Sequence, residues 1–311
     1  MKSSAHDIAV VCTIGIGALR GGRGSNQDNY LICLNGDVRW REGEAEHIER
    51  SAGAGALVAV ADGMGGHDHG ELASAAAVQA LARLYRRGRP ALPETTLRTW
   101  ALQAHRRLRA KALEEGIANM GTTLTVAWVL GDTAYWVQVG DSRLYHQRGE
   151  QLRRLTRDHT RGEFASRDHR RTPNDPQYLA QNFIFGSRGL GDDDGIRIDP
   201  GVDSGQLRIR AGDRLLLCSD GLCAPVPDHR IRDALREGMG TASCAAWLVD
   251  RALAAGSDDN ITALVLSVGE PDELDPTVEG YALWDRDQDE PGDDFGTGRA
   301  VGGDALVPDD D

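Results

Sequence analysis

The 311-residue sequence predicts an α+β fold in which mainly antiparallel sheets pack together and helices lie outside them. Three observations carry that expectation. Many short apolar segments are joined by glycine-containing turns. The central segments are apolar on both faces, so both faces must be covered. Helical patterns come as an early pair and a late group, which does not fit a βαβ repeat.

The elements follow in order. Strands are expected at 8–16 (IAVVCTIGI), 29–34 (NYLICL), 56–61 (ALVAVA), 122–130 (TTLTVAWVL) and 133–139 (TAYWVQV). Others are expected at 142–146, 151–155, 206–210, 214–218 (RLLLC) and 261–268 (ITALVLSV). Gly131-Asp132 and Arg148-Gly149-Glu150 read as hairpin turns, hence antiparallel pairing. A helix over 70–86 places Leu72, Ala75, Ala76, Val78, Leu81, Leu84 and Tyr85 at helical spacing. A second over 94–115 sets Leu97, Trp100, Ala101, Ala104 and Leu108 beside a charged face, and a third fills 242–254. Amphipathic helices of this kind can cover the outer sheet faces.

Charge is unevenly spread. The chain carries 35 basic and 48 acidic residues, but 15 of the acids and only Arg286 and Arg299 lie from Glu270 onward. Residues 1–269 are therefore formally neutral, and the low isoelectric point does not imply an acidic field over the body. No basic block suggests a nucleic-acid partner, and the N-terminus has neither a signal peptide nor a membrane-spanning length. Five cysteines, with no CxxC pair, suit a reducing compartment. The expectation is a cytoplasmic monomer with residues 1–269 as the folded body and 270–311 as an acidic, disordered tail. YALW at 281–284 stands out in that tail; chance is the first explanation for it, and docking on the body or on a partner the second.

Acidic residues recur at strand borders. Asp62 ends VAVADG, Asp220 repeats the arrangement in LLLCSDG, Asp28 precedes an apolar strand, Asp259 sits in SDDNIT, and Asp141 follows YWVQVG. Each Asp-Gly could be an ordinary turn. If the acids meet at one sheet end, their repulsion calls for a cation. Oxygen ligands without a histidine or thiolate cluster favour Mg²⁺ or Mn²⁺. Gly63, having no side chain, would let its carbonyl approach an ion.

RGSNQD (23–28), VADGMGGH (60–67), GTT (121–123), VGDSRLY (139–145), LTRDHT (155–160), GSRGLG (186–191), LLLCSDGL (215–222) and DDNIT (258–262) occur in one order across residues 8–268. This ordered set resembles the metal-dependent serine/threonine protein phosphatases called type 2C, in their bacterial branch. The resemblance implies a four-layer α-β-β-α sandwich with metals at one sheet edge. It also implies hydrolysis of phosphoserine and phosphothreonine in proteins, opposing a serine/threonine kinase, by a water activated between two Mn²⁺ or Mg²⁺ ions. Asp62 would bridge the ions and the Gly63 carbonyl would hold the second. Asp220 and Asp259 would complete the first ion's shell, with Asp28 acting through water on the second. Asp141 would join Asp220 around a third, weaker ion, or else cap a turn with Ser142.

Arg23 matches the phosphate-binding arginine, whose fork suits two phosphate oxygens. Gln27 stands where glutamate is frequent. Met64 stands where animal relatives carry a histidine and cannot transfer a proton; a metal-bound water or His67 could substitute. The flap, about 161–185, is arginine-rich at Arg161, Arg167, Arg170 and Arg171, which is either a solvated face or a surface that attracts phosphopeptides. The competing readings are a pseudophosphatase that binds phosphoproteins without turnover, and a scaffold acting through its tail.

Overall fold

Apolar runs with alternating destinations build the sheets. A computed structural model describes residues 11–19, 21, 24–34, 36–42, 45–64, 69–117, 120–160, 185–186, 201–236, 238–269 and 281–285. Arg23, His67, residues 161–184, and the tail apart from 281–285 lie outside the described residues.

One sheet contains β1 (Val11–Leu19), β9 (Arg143–Arg148), β10 (Gln151–Arg154), β13 (Arg214–Cys218), β14 (Ile261–Gly269) and β15 (Tyr281–Asp285), in the order β10-β9-β13-β14-β1-β15. The other contains β2 (Asp28–Leu34), β3 (Asp37–Glu42), β4 (Ala45–Arg50), β5 (Ala56–Met64), β7 (Leu124–Leu130), β8 (Thr133–Val139) and β12 (Asp203–Arg208). Its order is β12-β8-β7-β5-β2-β3-β4, and the short strands β6 (Gly121–Thr122) and β11 (Phe185–Gly186) pair beside β5. Five helices lie outside: α1 (His69–Tyr85), α2 (Pro93–Glu114), α3 (Asp220–Cys223), α4 (Asp228–Arg236) and α5 (Thr241–Ala254) among the described residues.

Alternation within β2 shows the layering. Tyr30, Ile32 and Leu34 enter the core between the sheets, whereas Leu31 and Cys33 pack under α1 and α2. Across the gap, Leu215 and Leu217 of β13 and Leu264 and Leu266 of β14 face inward. Leu216, Cys218, Ala263 and Val265 face outward to α4 and α5. Three cores thus separate four layers, the expected α-β-β-α sandwich. Each fully buried leucine or isoleucine contributes about 1.5–3 kcal/mol, and a one-residue slip would send every such side chain to the wrong layer.

The structure departs from the sequence expectation in several places, the helix α4 among them. The hairpin of β3 and β4 was not anticipated, because its segments DVRWRE and AEHIER are rich in charge. Only Val38 and Trp40 anchor it in the core under the helices, while β4 is largely exposed. The tail segment containing YALW forms β15, parallel to β1, with Ile14 opposite Tyr281 and Gly17 opposite Trp284. Elsewhere the hairpin at Gly131 pairs Leu130 with Thr133, and Gly131 takes a φ of 66° that glycine adopts without strain. No helix among the described residues is long and apolar enough to cross a membrane.

His105 lies on the buried face of α2, and burial together with Arg109 and Arg106 pushes its pKa down to about 4. An unfolded chain would protonate this histidine near 6.5. The unfolded state therefore binds more protons between about 6.5 and 4, and stability falls as pH drops through that window. His105→Gln should remove this contribution. The Tm difference between wild type and His105→Gln, measured by calorimetry, should be larger at pH 7 than at pH 4; a constant difference would show that His105 is not buried as a neutral group.

Candidate active site

The antiparallel register of β2 and β5 places Asp28 directly opposite Asp62. Like charges facing each other across a strand pair repel, and here burial removes the water that would screen them. Asp28 is 1% exposed. Burial, reinforced by Asp220 and Asp259, pushes its pKa up to about 7 despite opposing hydrogen bonds. Burial also holds Asp62 well above the carboxylate range, with further repulsion from Asp28, Asp220, Asp141 and Asp259. Asp141 is pushed to about 7 by burial and then by Asp220. The five aspartates singled out in the sequence therefore share one electrostatic environment at one end of the two sheets. Among the described residues no three acidic, histidine or cysteine side chains are already gathered closely enough to hold an ion.

Each aspartate is placed by neighbours that the sequence reading left without a role. The Asp62 N–H donates to Thr123 Oγ1 at 3.0 Å, and the Asp62 carbonyl accepts from the Thr123 N–H and the Thr122 hydroxyl. Thr123 Oγ1 also meets Ser142 Oγ at 2.7 Å, tying Asp62 to the turn that carries Asp141. That turn needs glycine at Gly140, where φ is 102° and a Cβ would lie 2.6 Å from Thr123 Cγ2. His159 holds the same turn: its N–H donates to the Gly140 carbonyl at 2.8 Å, and its Nδ1 accepts from the Gly140 N–H. Asp158 forms a two-point ion pair with Arg143. His159 is thus built into the loop.

From the other sheet, Asp259 and Asp220 approach through close backbone contacts. A Cβ at Gly221 would lie 2.0 Å from the Asn260 carbonyl oxygen. Asn260 spans the gap between the sheets: its side-chain oxygen accepts from the Gln27 N–H and its amide donates to the Ser25 carbonyl. Ser219 and Thr262 both donate their hydroxyls to Asp28 Oδ2, at 2.7 and 2.6 Å. Asp28 Oδ1 is buried and accepts no hydrogen bond among the described residues. Gly63 donates its N–H to the Gln27 carbonyl, and a Cβ there would meet the Gly70 carbonyl oxygen at 2.2 Å. The motifs GTT, SDG and DDNIT contain these supporting residues, but nothing local marks which partner each would take.

A buried carboxylate oxygen without a donor, opposite the half-buried Asp62 and repelled by Asp220 and Asp259, fits a hard divalent cation. A set of aspartate oxygens suits Mg²⁺ or Mn²⁺ better than zinc.

Comparison with known proteins gives a consistent result. Residues 45–255 match the family described as Protein phosphatase 2C. The serine/threonine protein phosphatase PstP of Mycobacterium tuberculosis is 36% identical over 245 residues, covering 77% of this chain and 46% of that protein. The chain thus spans about half the length of that relative. Protein phosphatase PhpP of Streptococcus pneumoniae is 31% identical over 226 residues, covering 70% of this chain and 87% of PhpP. A crystal structure of the catalytic domain of PstP in complex with two manganese ions superposes with a TM-score of 0.66 at 30% identity. That match covers 84% of this chain and 100% of the domain.

If Asp28 and Asp62 repel as their pairing implies, Asp28→Asn should stabilise the chelator-treated protein at pH 8. The expected gain in Tm is about 3 °C, since the amide oxygen can still accept from Ser219 and Thr262. Added Mn²⁺ should then raise the Tm of wild type more than that of the variant. A lower chelator Tm for Asp28→Asn would contradict the repulsion.

Proposed function

Because this chain belongs to the protein phosphatase 2C family, we propose that it hydrolyses phosphoserine and phosphothreonine in proteins with divalent ions held by its clustered aspartates. The cross-strand pairing of buried Asp28 with half-buried Asp62, with Asp28 Oδ1 left without a hydrogen bond among the described residues, is the observation that carries this reading. Asp62 would be shared by two ions, Asp220 and Asp259 would complete the set for the first, and the Gly63 carbonyl and Asp28 would serve the second. Asp141 with Asp220 would serve a third and weaker ion. Bound divalent ions supply a nucleophilic water at neutral pH and positive charge for the phosphoryl oxygens.

The chain's own groups orient and exclude. Thr122 and Thr123 fix the backbone of Asp62, so its carboxylate leaves the end of β5 in one direction. Arg23 would bind the phosphate; its place in RGSNQD, five residues before Asp28, supports that role. Met64 follows Gly63 and offers no proton, so no side chain at this position protonates the leaving alkoxide. Cys218 and Cys223 are buried, and the hydrogen bond with Cys218, followed by burial, holds the Cys223 thiol far above its ordinary range, which argues against Cys223 as a nucleophile. Arg161, Arg167, Arg170 and Arg171 would draw phosphopeptides by charge. We further propose a cytoplasmic monomer opposing a serine/threonine kinase, a setting supported by Cys33, Cys218, Cys223 and Cys244, which are buried thiols and not disulfides.

Phosphate release from phosphoserine and phosphothreonine peptides should require Mn²⁺ or Mg²⁺ and fall to background after chelation. Asp62→Asn should lower kcat/KM by about 10³-fold or more, whereas Met64→Ala should keep the Mn²⁺-induced rise in Tm. Turnover that survives stringent chelation, or an Asp62→Asn enzyme as fast as wild type, would reject the proposal.

A further inference from the structure

Ser219 occupies the N-cap position of α3, yet its hydroxyl makes no capping bond to that helix. A serine at this position ordinarily satisfies a backbone N–H of the first turn. Here the hydroxyl accepts from the Thr262 N–H at 3.0 Å and donates across the sheet interface to Asp28 Oδ2 at 2.7 Å. Thr262, on β14, donates its own hydroxyl to the same oxygen at 2.6 Å. Ser219 and Thr262 are both fully buried. Two donors from one sheet therefore converge on one oxygen of a carboxylate rooted in the other sheet.

We propose that Ser219 and Thr262 form a hydroxyl clamp that positions Asp28 for divalent-cation binding, a role that rests on the metal-dependent reading above. With Oδ2 engaged by two donors, rotation about the Asp28 Cβ–Cγ bond is restricted, and Oδ1 is held in a single direction. Oδ1 is the atom that takes no hydrogen bond among the described residues. A donor on Oδ1 would compete with a cation, whereas donors on Oδ2 do not. The clamp also joins the sheets where they must stay in register, because Asp28 faces Asp62 in one sheet while Ser219 precedes Asp220 in the other. Neither residue would touch the reacting atoms; both act through Asp28 as positioning residues.

Hydrogen-bond partners of metal ligands typically change metal affinity by about 10–100-fold when removed. The test uses the full-length protein and Mn²⁺ alone, with affinity read by titration calorimetry and by the free Mn²⁺ resonance signal. Thr262→Val keeps the shape and deletes the hydroxyl; it should raise the Mn²⁺ Kd about 10-fold or more, and Ser219→Ala should do likewise. Thr262→Ser restores the donor and should return the Kd close to wild type. Tyr85→Phe, which deletes a hydroxyl that donates to the Gly55 carbonyl in another part of the fold, controls for lost stability and should leave the Kd unchanged. If Thr262→Val and Ser219→Ala lower the Tm in chelator but bind Mn²⁺ as wild type does, the clamp is only structural and the proposal fails. If wild type itself binds no Mn²⁺, the metal-dependent reading fails first, and that outcome is distinct.

Discussion

Asp28 and Asp62 are cross-strand neighbours in β2 and β5, carried there by strands whose other residues are committed to two apolar cores. The placement cannot relax by a slip of register. Moving β2 by one residue would exchange Tyr30, Ile32 and Leu34 with Leu31 and Cys33 and put each set in the wrong layer. Folding therefore forces two carboxylates together in a site that excludes water. The hydrophobic stabilisation of the strands, about 1.5–3 kcal/mol for each large side chain, is ample to impose this local repulsion. A site made in this way is poorly stable alone and gains from any group that brings positive charge to it.

The second sheet supplies the rest by different means. Asp220 and Asp259 are not paired in a ladder; they sit just beyond the ends of β13 and just before β14, where backbone approaches are close. Gly21 and Gly221 permit those approaches, since a Cβ on Gly21 would stand 1.9 Å from the Asp259 carbonyl oxygen. Asn260, Ser219 and Thr262 then reach across to residues 25–28 of the first sheet. Polar side chains at this edge replace the apolar packing that holds the sheets together elsewhere. Fully buried hydrogen bonds of this type specify geometry more than they add stability, and geometry is what a cation site demands.

Much of this was legible in the sequence, and the limits have physical causes. Strands such as ALVAVA and RLLLC are apolar on both faces, so their place inside a covered sheet follows from composition. The two strand–Asp–Gly units could be seen individually, but their convergence could not be deduced from spacing, because segments nearly 160 residues apart meet only through sheet packing. The hairpin of β3 and β4 escaped notice since Val38 and Trp40 are too few to outweigh the surrounding charge. YALW could not be assigned as β15 because its pairing is with β1, at the opposite end of the chain. The roles of Ser219 and Thr262 were hidden for a related reason: a hydroxyl carries no mark of its acceptor, and a serine before a short helix reads as a cap.

Gln27 shows how the charge balance of the site is kept within bounds. Its backbone is fully used: the N–H goes to Asn260, and the carbonyl accepts from the Gly63 N–H and from the Ser74 hydroxyl. Its side-chain oxygen lies where a Cβ on Gly70 would come within 2.7 Å, so it packs against the start of α1. A glutamate here would add another carboxylate near Asp28 and Asp62, whose proton affinity is already raised by burial first and by neighbouring aspartates second. The amide keeps the shape and the hydrogen-bonding capacity without that charge. Under the metal-binding reading proposed above, an amide at this position would hold a cation's outer waters less strongly than a carboxylate would, and would leave more of that task to Asp28 and to whatever fixes its direction.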